Sequence, residues 1–592
     1  MDCRVHYWAP EQAREFGARR IHNDIRRNAM LGKSNEARLP DRRLRARALR
    51  RCAAAIAAVM VMGAPGLALA ATYYVDAAAG SDSAAGTSTT TAWQTLAKVN
   101  ATTFSAGDSI LFKTGQSWAG QLHPLGSGTV ASPIVISNYG GGAKPIIDGS
   151  SLSSGAAVYL FNQGGWTIDG LEVVNDSGVD NVGTINALGS GTGINRSGIF
   201  VDNESGGVLS GITIRNNYVH DVNGCFVCSS SGIDGHVNGG IVIAADVSNV
   251  PWASAVAAGY ESYNNVQILN NTVSSAGREG IVFWDNSVGL SYFAIVPAAM
   301  SNSVTIQGNG VYSVDGDGIT LSGVQNGLID HNIVGKAGLK TVAGGEATSG
   351  GIWAEKTSGV TMQYNEVYGV LSAGGVDGQA FDNDLFASNT IIQYNYSHDN
   401  QGGFLLMEGQ NFVSGTNLTV RYNLSVNDGY SGVKGVITSE YGPLGTVNIY
   451  NNTIYIAAGL PSNPILCNSC NASYVNFNIW NFDNNVIANF GTGNYTNPAG
   501  WNVAFSNNLY YGNHPSGEPG DAHKLVTDPQ FIAAAATAPY GIASVSGYRV
   551  SSGSPAAASG AVISGNGGRD YFGRPVSPTA SPTRGFYEAV NY

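Results

Sequence analysis

The feature that most constrains this chain is a short repeated segment of apolar residues and asparagine. Its form is apolar-x-apolar-x-x-Asn-x-apolar, and it recurs between residues 156 and 515, for example at 212–219, 266–273 and 447–454. Alternating apolar residues predict a strand. Asparagine suits the tight turn after it, because asparagine tolerates left-handed backbone and forms local hydrogen bonds. Each copy is followed by a variable loop and by a strand of the form Gly-apolar-x-apolar.

Units of this kind are expected to stack, because one coil cannot bury its apolar face alone. Three strands per turn, at a period of roughly 24 to 42 residues, predict an all-β fold, a parallel β-helix with three-strand coils. The composition agrees, since 79 of 592 residues are glycine and only 12% are charged. A helical protein would instead contain periodic runs of strong helix formers.

The segments around the repeats divide the chain into four parts. Residues 1–70 are predicted to be a leader and signal peptide, with arginines, an apolar run too short to span a bilayer, and a cleavage sequence near Ala70. Residues 71–149 are expected to form an N-terminal cap with the first strands and a short helix at 93–99. Residues 150–515 hold the β-helix and its catalytic groove, and residues 516–592 a C-terminal closing segment. The protein is therefore expected to be secreted, into the periplasm or the medium.

The charge of the chain restricts its partners. After residue 70 it carries 16 Lys+Arg and 35 Asp+Glu. Such an excess of negative charge repels nucleic acid and anionic membranes, and it disfavours a polyanionic substrate. We expect a monomer that binds a poly- or oligosaccharide, with no nucleic acid and no membrane as partner after cleavage.

Four cysteines remain after the leader, in two closely spaced pairs. The pairs are Cys225 with Cys228 and Cys467 with Cys470. Two such pairs can hold zinc. Exported proteins more often oxidise their thiols, so the sequence predicts two local disulfides.

The candidate catalytic residues lie on strands of the glycine-initiated type, at residues 351–355, 380–384, 404–408 and 436–440. Because side chains alternate along a strand, Glu355, Asp384, Glu408 and Glu440 are expected on one outer face. Stacked coils would place them in a column at the strand spacing of about 4.8 Å. A column of like charges is unfavourable, and it indicates acid/base chemistry.

Aromatic side chains are expected beside this column. Flat aromatic faces bind the apolar faces of sugar rings, and carboxylates bind the hydroxyl groups at the ring edges. Contacts with a carbohydrate substrate are predicted for Trp284, Trp353, Glu355, Asp377, His398, Glu440 and Tyr441.

Two carboxyl groups at a suitable separation hydrolyse glycosidic bonds. A separation of about 5–5.5 Å gives retention of configuration, and about 6.5–9.5 Å gives inversion. Asp384 and Glu408 are expected on neighbouring coils, near the shorter separation, which favours the retaining mechanism. Repulsion between them would raise one pKa, as a general acid requires.

The repeats resemble those of the right-handed parallel β-helix superfamily, the pectate-lyase-like proteins, over nearly all of the chain after the leader. Residues 381–384, 394–400 and 406–409 are similar to the active-site order of β-helix β-xylosidases and related glycoside hydrolases. This resemblance implies that Asp384 is the nucleophile, with Asp382 as its rival, and that Glu408 is the acid/base. Such a hydrolase requires no cofactor. The last residues of the chain also resemble the terminal segment of secreted β-helix proteins.

Two other functions remain open at the level of the sequence. A polysaccharide lyase would use Lys356, Lys434 or Arg278 as its base, with calcium held near Asp315 and Asp317. A polysaccharide-binding or surface solenoid would use the same outer wall without catalysis. Calcium therefore stays a candidate ligand.

Overall fold

In the computed structural model, all of the repeats belong to a unit that begins at Ala70. The described residues are 70–179, 181, 193–226, 236–245, 261–286, 300–340, 349–372, 377–409, 417–440, 445–467, 479–496 and 503–590. The leader, Cys228, Cys470 and Tyr441 lie outside these ranges. Cys225 and Cys467 are each disulfide-bonded, and their pairing with Cys228 and Cys470 stays a prediction.

Three long parallel sheets make up this unit, as the repeat predicts. The chain passes from one sheet to the next and then returns one coil further on, so each strand pairs with its equivalents in the coils before and after it. The fold is therefore the all-β parallel β-helix that the sequence predicts.

The first sheet holds 15 described strands. They are Thr72–Val75, Ser109–Lys113, Ile134–Tyr139, Trp166–Asp169, Val208–Arg215, Ser262–Leu269, Ser301–Gln307, Val324–Gln325, Leu328–Asp330, Thr361–Gln363, Ile391–Gln393, Leu418–Arg421, Thr446–Tyr450, Ile479–Asp483 and Val503–Ser506.

The second sheet holds 14 described strands. They are Ser117–Ala119, Ile146–Asp148, Glu172–Asn175, Tyr218–Val222, Thr272–Ala276, Gly310–Tyr312, Ile333–Gly335, Glu366–Tyr368, Tyr396–His398, Leu424–Val426, Thr453–Ile456, Val486–Asn489, Leu509–Gly512 and Leu525–Val526.

The third sheet holds 10 described strands and positions the candidate site. They are Gly155–Phe161, Arg196–Asn203, Gly239–Ala245, Glu279–Asp285, Ile319–Ser322, Ile352–Glu355, Gln379–Asn383, Gly403–Glu408, Gly435–Glu440 and Asn463–Cys467.

A ladder of asparagines explains the turn between the first and second sheets. In the repeat, the residue before the buried asparagine has positive φ, as Asn216 and Tyr364 do. The buried asparagine then donates its backbone N–H and its side-chain Nδ2 to the Oδ1 of the equivalent residue in the next coil. The series runs through Asn217, Asn271, Asn309, Asn332, Asn365, Asn395, Asn423, Asn452, Asn485 and Asn508, and it ends on the carboxylate of Asp521.

The interior of the β-helix is a continuous apolar core. The residues that point inward are mostly isoleucine, valine, leucine and phenylalanine, and they form one buried cluster from Val75 to Tyr510. Buried apolar surface of this extent is the main favourable contribution to folding. The outward side chains of the third sheet are consequently free to serve function.

A short helix lies at the N-terminal end, within the segment that the sequence predicts to be helical. It is Leu96–Asn100, and its N-cap Thr95 accepts a hydrogen bond from the backbone N–H of Lys98. Leu96 and Val99 are buried in the same core as the first strands. No helix in the described ranges is long and apolar enough to cross a membrane.

The C-terminal segment packs against the outside of several coils. Its apolar residues, which include Tyr548 of the 3-10 helix Val545–Tyr548 and Phe586, join a buried cluster with tyrosines of the first and second sheets. The backbone N–H of Gly541 donates to Glu366 Oε1 at 2.7 Å. The segment therefore covers the last coils and also reaches coils well before them.

Candidate active site

Two rows of outward side chains run along the third sheet, and strand register fixes their members. The first row passes through Phe161, Asp202, Ala244, Trp284, Ser322 and Glu355, and Glu408 and Glu440 pair at its far end. Asp384 directly follows Asn383, whose partner Met407 directly precedes Glu408, so Asp384 comes between Glu355 and Glu408 in this row. The second row is Tyr159, Phe200, Val242, Val282, Thr320, Trp353, Asp382, Leu406 and Thr438. The alternation of side chains along these strands therefore gave the correct outward face.

The carboxyl groups of these rows meet in one cavity of about 280 Å³. Its acidic lining residues are Asp317, Glu355, Asp377, Asp382, Asp384 and Glu408. Trp284, Trp353, His236, Lys356 and Gln379 complete most of the wall. The structure thus brings together five of the predicted acids, together with both predicted tryptophans.

Asp384 and Glu408 form the central pair of this cavity. Their side chains share a hydrogen bond, with the Glu408 carboxyl as the proton donor. Loss of water around it raises the pKa of Asp384 to about 6, although the backbone N–H of Leu385 donates to it at 2.5 Å. Desolvation and the adjacent Asp384 raise the pKa of Glu408 to about 9. One member is therefore ionised at neutral pH while the other keeps its proton.

Two further acids on the cavity wall also have raised pKa values. Loss of solvent raises the pKa of Asp377 to about 7, and Asp384 adds to this effect while Lys434 opposes it. Desolvation raises the pKa of Asp382 well above its ordinary value, and repulsion by Asp384 and Glu408 adds to the shift. Asp382 therefore holds a proton more readily than it would as an isolated carboxyl.

The basic side chains near the cavity are already paired with carboxylates. Lys356 Nζ lies 2.8 Å from Glu355 Oε1, and Lys434 Nζ lies 2.6 Å from Glu440 Oε1. Arg278 contacts Asp317 at 3.1 Å. An ion-paired cation stays protonated and is a poor proton acceptor.

Several buried polar atoms of the cavity have no hydrogen-bond partner in the described part of the chain. They are Trp353 Nε1, both amide atoms of Gln379, and Asp382 Oδ1. Buried polar atoms usually have partners, because an unpaired one costs about 1–3 kcal/mol. The arrangement offers donors and acceptors to a ligand that carries hydroxyl groups.

The aromatic side of the cavity includes a residue that the sequence analysis did not identify. His236 stacks on Trp284, with ring centroids 4.6 Å apart, and Trp284 meets Trp353 edge to face at 6.2 Å. His236 comes from a loop, outside any repeat, so no periodic signal marks it. Gln379 directly precedes a strand segment singled out from the sequence, and extending that segment by one residue would have identified it.

Two of the predicted substrate contacts lie away from the cavity. His398 is on the strand Tyr396–His398 of the second sheet, fully buried, where it contacts Asp399, Glu366 and Tyr540. The structure therefore does not bring His398 to the carboxylates, because it belongs to a different side of the coil. Glu440 is next to Glu408 in the first row but is buried against Lys434.

A possible metal-binding group lies at the edge of the cavity. His236, Glu279 and Asp317 place one ligand atom each within 4.8 Å of one another. The guanidinium of Arg278, however, contacts both carboxylates, at 3.5 Å and 3.1 Å. A fixed cation at this place already balances much of the charge that a metal ion would balance. The calcium interpretation stays a prediction.

Comparisons with known proteins agree with this fold. Residues 257–454 match the family described as the right handed beta helix region. The chain is 30% identical, over 581 aligned residues, to a lacto-N-biosidase from Bifidobacterium longum subsp. longum; the match covers 83% of this chain and 34% of that protein. The chain thus spans about a third of the length of this relative.

Two solved structures of a GH136 lacto-N-biosidase from Eubacterium ramulus are also similar. The selenomethionine derivative has a TM-score of 0.55 at 23% identity, over 74% of this chain and 67% of that one. The native protein has a TM-score of 0.53 at 25% identity, over 65% of this chain and 64% of that one. By its sheets, its repeats and these relatives, the chain is a right-handed parallel β-helix protein.

Proposed function

We propose that this protein is a glycoside hydrolase that uses Asp384 as nucleophile and Glu408 as general acid and base. The observation that carries the proposal is the Asp384–Glu408 pair. Its two carboxyl groups share a hydrogen bond and have pKa values raised to about 6 and about 9, beside two tryptophans. A retaining glycosidase needs one ionised and one protonated carboxyl close together.

The proposed reaction has two balanced steps. Glu408 gives its proton to the glycosidic oxygen while Asp384 attacks the anomeric carbon, so the bond to the leaving sugar breaks as the bond to Asp384 forms. Water then attacks the same carbon. Glu408 takes the proton from that water, and the Asp384 carboxylate departs. Before the reaction, the Glu408 proton lies in the hydrogen bond to Asp384. In the first step this proton passes to the glycosidic oxygen instead.

The relatives support a substrate class. The relatives from Bifidobacterium longum subsp. longum and Eubacterium ramulus are lacto-N-biosidases, and we propose that this chain likewise acts on oligosaccharides that contain lacto-N-biose. The unpaired donors and acceptors of Trp353, Gln379 and Asp382 support a substrate rich in hydroxyl groups. The ion pairs of Lys356, Lys434 and Arg278 disfavour the alternative of a lyase, because that reaction needs a free base.

The test combines activity with the identity of the products. With a chromogenic glycoside of lacto-N-biose, Glu408→Gln should lower kcat by about 100- to 10,000-fold, and Asp384→Asn should lower it at least as much. Azide should rescue both variants. The azide product of Glu408→Gln should keep the configuration of the substrate, and that of Asp384→Asn should have the opposite one. Asp169→Asn, in an ion pair of the first sheet, is the control and should keep full activity.

Asp377 is the alternative candidate for the proton donor, because its pKa is raised to about 7 in the same cavity. If azide rescues Asp377→Asn but not Glu408→Gln, the proton donor is Asp377. Wild-type products with inverted configuration would contradict the retaining mechanism. Full activity in Asp384→Asn would contradict the whole assignment.

A further inference from the structure

A second and larger cavity opens on the same wall, near the N-terminal end of the third sheet. It has a volume of about 440 Å³. Tyr159, Phe161, Phe200 and Asp202 line it, and all four belong to the two outward rows that contain Asp384 and Glu408. Neither the proposed mechanism nor the first cavity uses any of these residues.

Aromatic rings form one side of this second cavity. Tyr159 and Phe161 lie with nearly parallel rings, 6.0 Å between centroids and 29° between planes. Phe200 is 5.7 Å from Tyr159. Phe161 is 38% exposed, although large apolar side chains on strands of this protein are mostly buried. Flat and partly exposed rings of this kind suit the apolar face of a sugar ring.

Two buried polar side chains lie in the wall of the second cavity. Asp202 is 6% exposed, and its Oδ2 accepts a hydrogen bond from the Tyr159 hydroxyl at 2.8 Å. Its side chain also shares a hydrogen bond with Glu204 on the same wall. Arg196 is 4% exposed, and its Nε has no hydrogen-bond partner among the described residues.

The polar groups of this cavity indicate a particular chemistry. A buried donor without an acceptor, such as Arg196 Nε, is unfavourable in the folded protein. A hydroxyl group both donates and accepts, so a ligand with several hydroxyl groups can accept from Arg196 and donate to the carboxyl groups of the wall. Asp202 and Glu204 are two acids against one cation, Arg196, among the lining residues, and they disfavour an anionic ligand. These conditions together describe a neutral sugar.

We propose that the second cavity is an ancillary binding site for a neutral oligosaccharide. Five strand-to-strand steps separate Asp202 from Asp384, a distance of roughly 24 Å at the usual strand spacing. A buried apolar cluster connects the two cavities, with Val237 in the lining of the second, the two tryptophans in the lining of the first, and Val242 and Val282 in the same cluster. The second cavity would therefore hold a remote part of a long glycan, or a separate glycan chain, while the reacting bond lies at Asp384.

The test measures binding by isothermal titration calorimetry. The protein is the full chain with Asp384→Asn and Glu408→Gln, to suppress hydrolysis, and the probes are xylohexaose, cellohexaose and lacto-N-tetraose. Adding Phe161→Ala should weaken binding of at least one probe about tenfold or more, because an aromatic contact is lost. Phe161→Trp should restore most of the affinity, whereas Phe161→Leu should not, since it keeps apolar bulk without a flat face.

The matched control is Leu125→Ala. Leu125 is also 38% exposed and does not line the second cavity, so this variant should bind as its parent does. Asp202→Asn keeps the shape of the side chain and should weaken binding without lowering the melting temperature. Equal affinity in Phe161→Ala and its parent, or no saturable binding of any probe, would overturn the proposal.

The outcome is independent of the catalytic proposal. In the chain with Asp384 and Glu408 intact, Phe161→Ala should hydrolyse the short chromogenic glycoside at an unchanged rate. Hydrolysis with unaltered oligosaccharide binding would refute the ancillary site and leave the hydrolase standing. Binding that depends on Phe161, in a protein without hydrolytic activity, would refute the hydrolase and support the ancillary site.

Discussion

At the scale of single residues, the candidate site is governed by how its carboxyl groups divide their protons. Asp377, Asp382, Asp384 and Glu408 line one cavity, and they cannot all be ionised without strong repulsion. Desolvation raises all four pKa values, and repulsion by nearby carboxylates adds to each shift, from Glu355 in the case of Asp384 and from Asp384 in the other three. At neutral pH the cavity therefore contains protonated carboxyl groups, at the place where a leaving group needs a proton.

The first prediction concerns the pH dependence of activity. A nucleophile must be ionised and an acid protonated, so kcat/KM should rise through about pH 6 and fall above about pH 9, following Asp384 and Glu408. The measurement is a pH–rate profile with the chromogenic glycoside. Glu408→Gln should lose the alkaline limb and keep the acid limb. An alkaline limb that persists in this variant would assign the proton donor to another group.

The second prediction concerns the free energy of unfolding and Asp382. The pKa of this carboxyl is raised in the folded protein, so its ionisation disfavours folding. Stability is therefore lost as pH rises above the ordinary value of 3.8, up to the folded-state pKa. Asp382→Asn should raise stability at pH 8 by on the order of 1 kcal/mol and should have little effect at pH 4. Melting temperatures at both pH values would check this, and equal gains at both would contradict it.

The sequence was informative about residues on strands and uninformative about residues from loops. Alternation of side chains along a strand identified the outward face that holds Asp384, Glu408 and Trp353, and strand register confirms it. Repeat position alone could not say which sheet would carry His398. It could not identify His236 either, because its placement over Trp284 depends on the path of a loop.

At the scale of elements, the asparagine ladder joins the turns of successive coils. Asn365 shows the full pattern, since its backbone N–H and Nδ2 donate to Asn395 Oδ1 and its own Oδ1 accepts both donors of Asn332. The bonds between asparagines all run from donor to acceptor towards the C-terminal end, while Nδ2 also donates to a backbone oxygen of the preceding coil, which is that of Ile329 for Asn365. Asp521 suits the last position, because a carboxylate only accepts and needs no acceptor beyond it.

The third prediction follows from that ladder. Asn365→Ala removes the hydrogen bonds that Asn365 Nδ2 donates to Asn395 Oδ1 and to the backbone oxygen of Ile329. It also removes the Oδ1 that accepts from two buried donors of Asn332. We expect a loss of about 2–3 kcal/mol, measured by chemical denaturation. Asn302→Ala is the control, because Asn302 Oδ1 accepts one exposed hydrogen bond from Asn326. Similar losses in both variants would show that burial in the ladder is unimportant.

The sequence predicted the turn and the stacking of coils, because asparagine recurs at one position of the repeat. The directions of the hydrogen bonds were not predictable. They depend on the left-handed residue before each buried asparagine, which is asparagine in one coil and tyrosine in another, as at Asn216 and Tyr364.

At the scale of the whole described unit, the C-terminal segment fastens several coils together. Tyr396 and Asn427 donate hydrogen bonds to the backbone oxygens of Pro539 and Ala536. Phe586 is buried in the cluster that this segment shares with the tyrosines of the coils. The sequence predicted a closing segment at residues 516–592, but no repeat signal shows how far back along the outside of the coils it extends.

The fourth prediction tests whether the packing of the C-terminal segment against the coils stabilises the protein. Phe586→Ala should destabilise the protein by about 3–5 kcal/mol, because a fully buried ring leaves a cavity. A lower melting temperature together with unchanged kcat for the chromogenic glycoside is the expected result, since Phe586 is remote from the third sheet. Ile532→Ala, in the same segment but 55% exposed, should melt like the parent. Equal melting of all three proteins would contradict the role given to the cluster.

The register of the two outward rows has a consequence for how such a wall can change. Each coil adds one residue to each row, so the gap between the two cavities is an integer number of strands. Insertion of one complete coil between Asp202 and Asp384 would lengthen the distance between these two residues by about 4.8 Å. The distance between the two cavities, and with it the length of glycan that can reach from one to the other, therefore changes only in whole strand spacings.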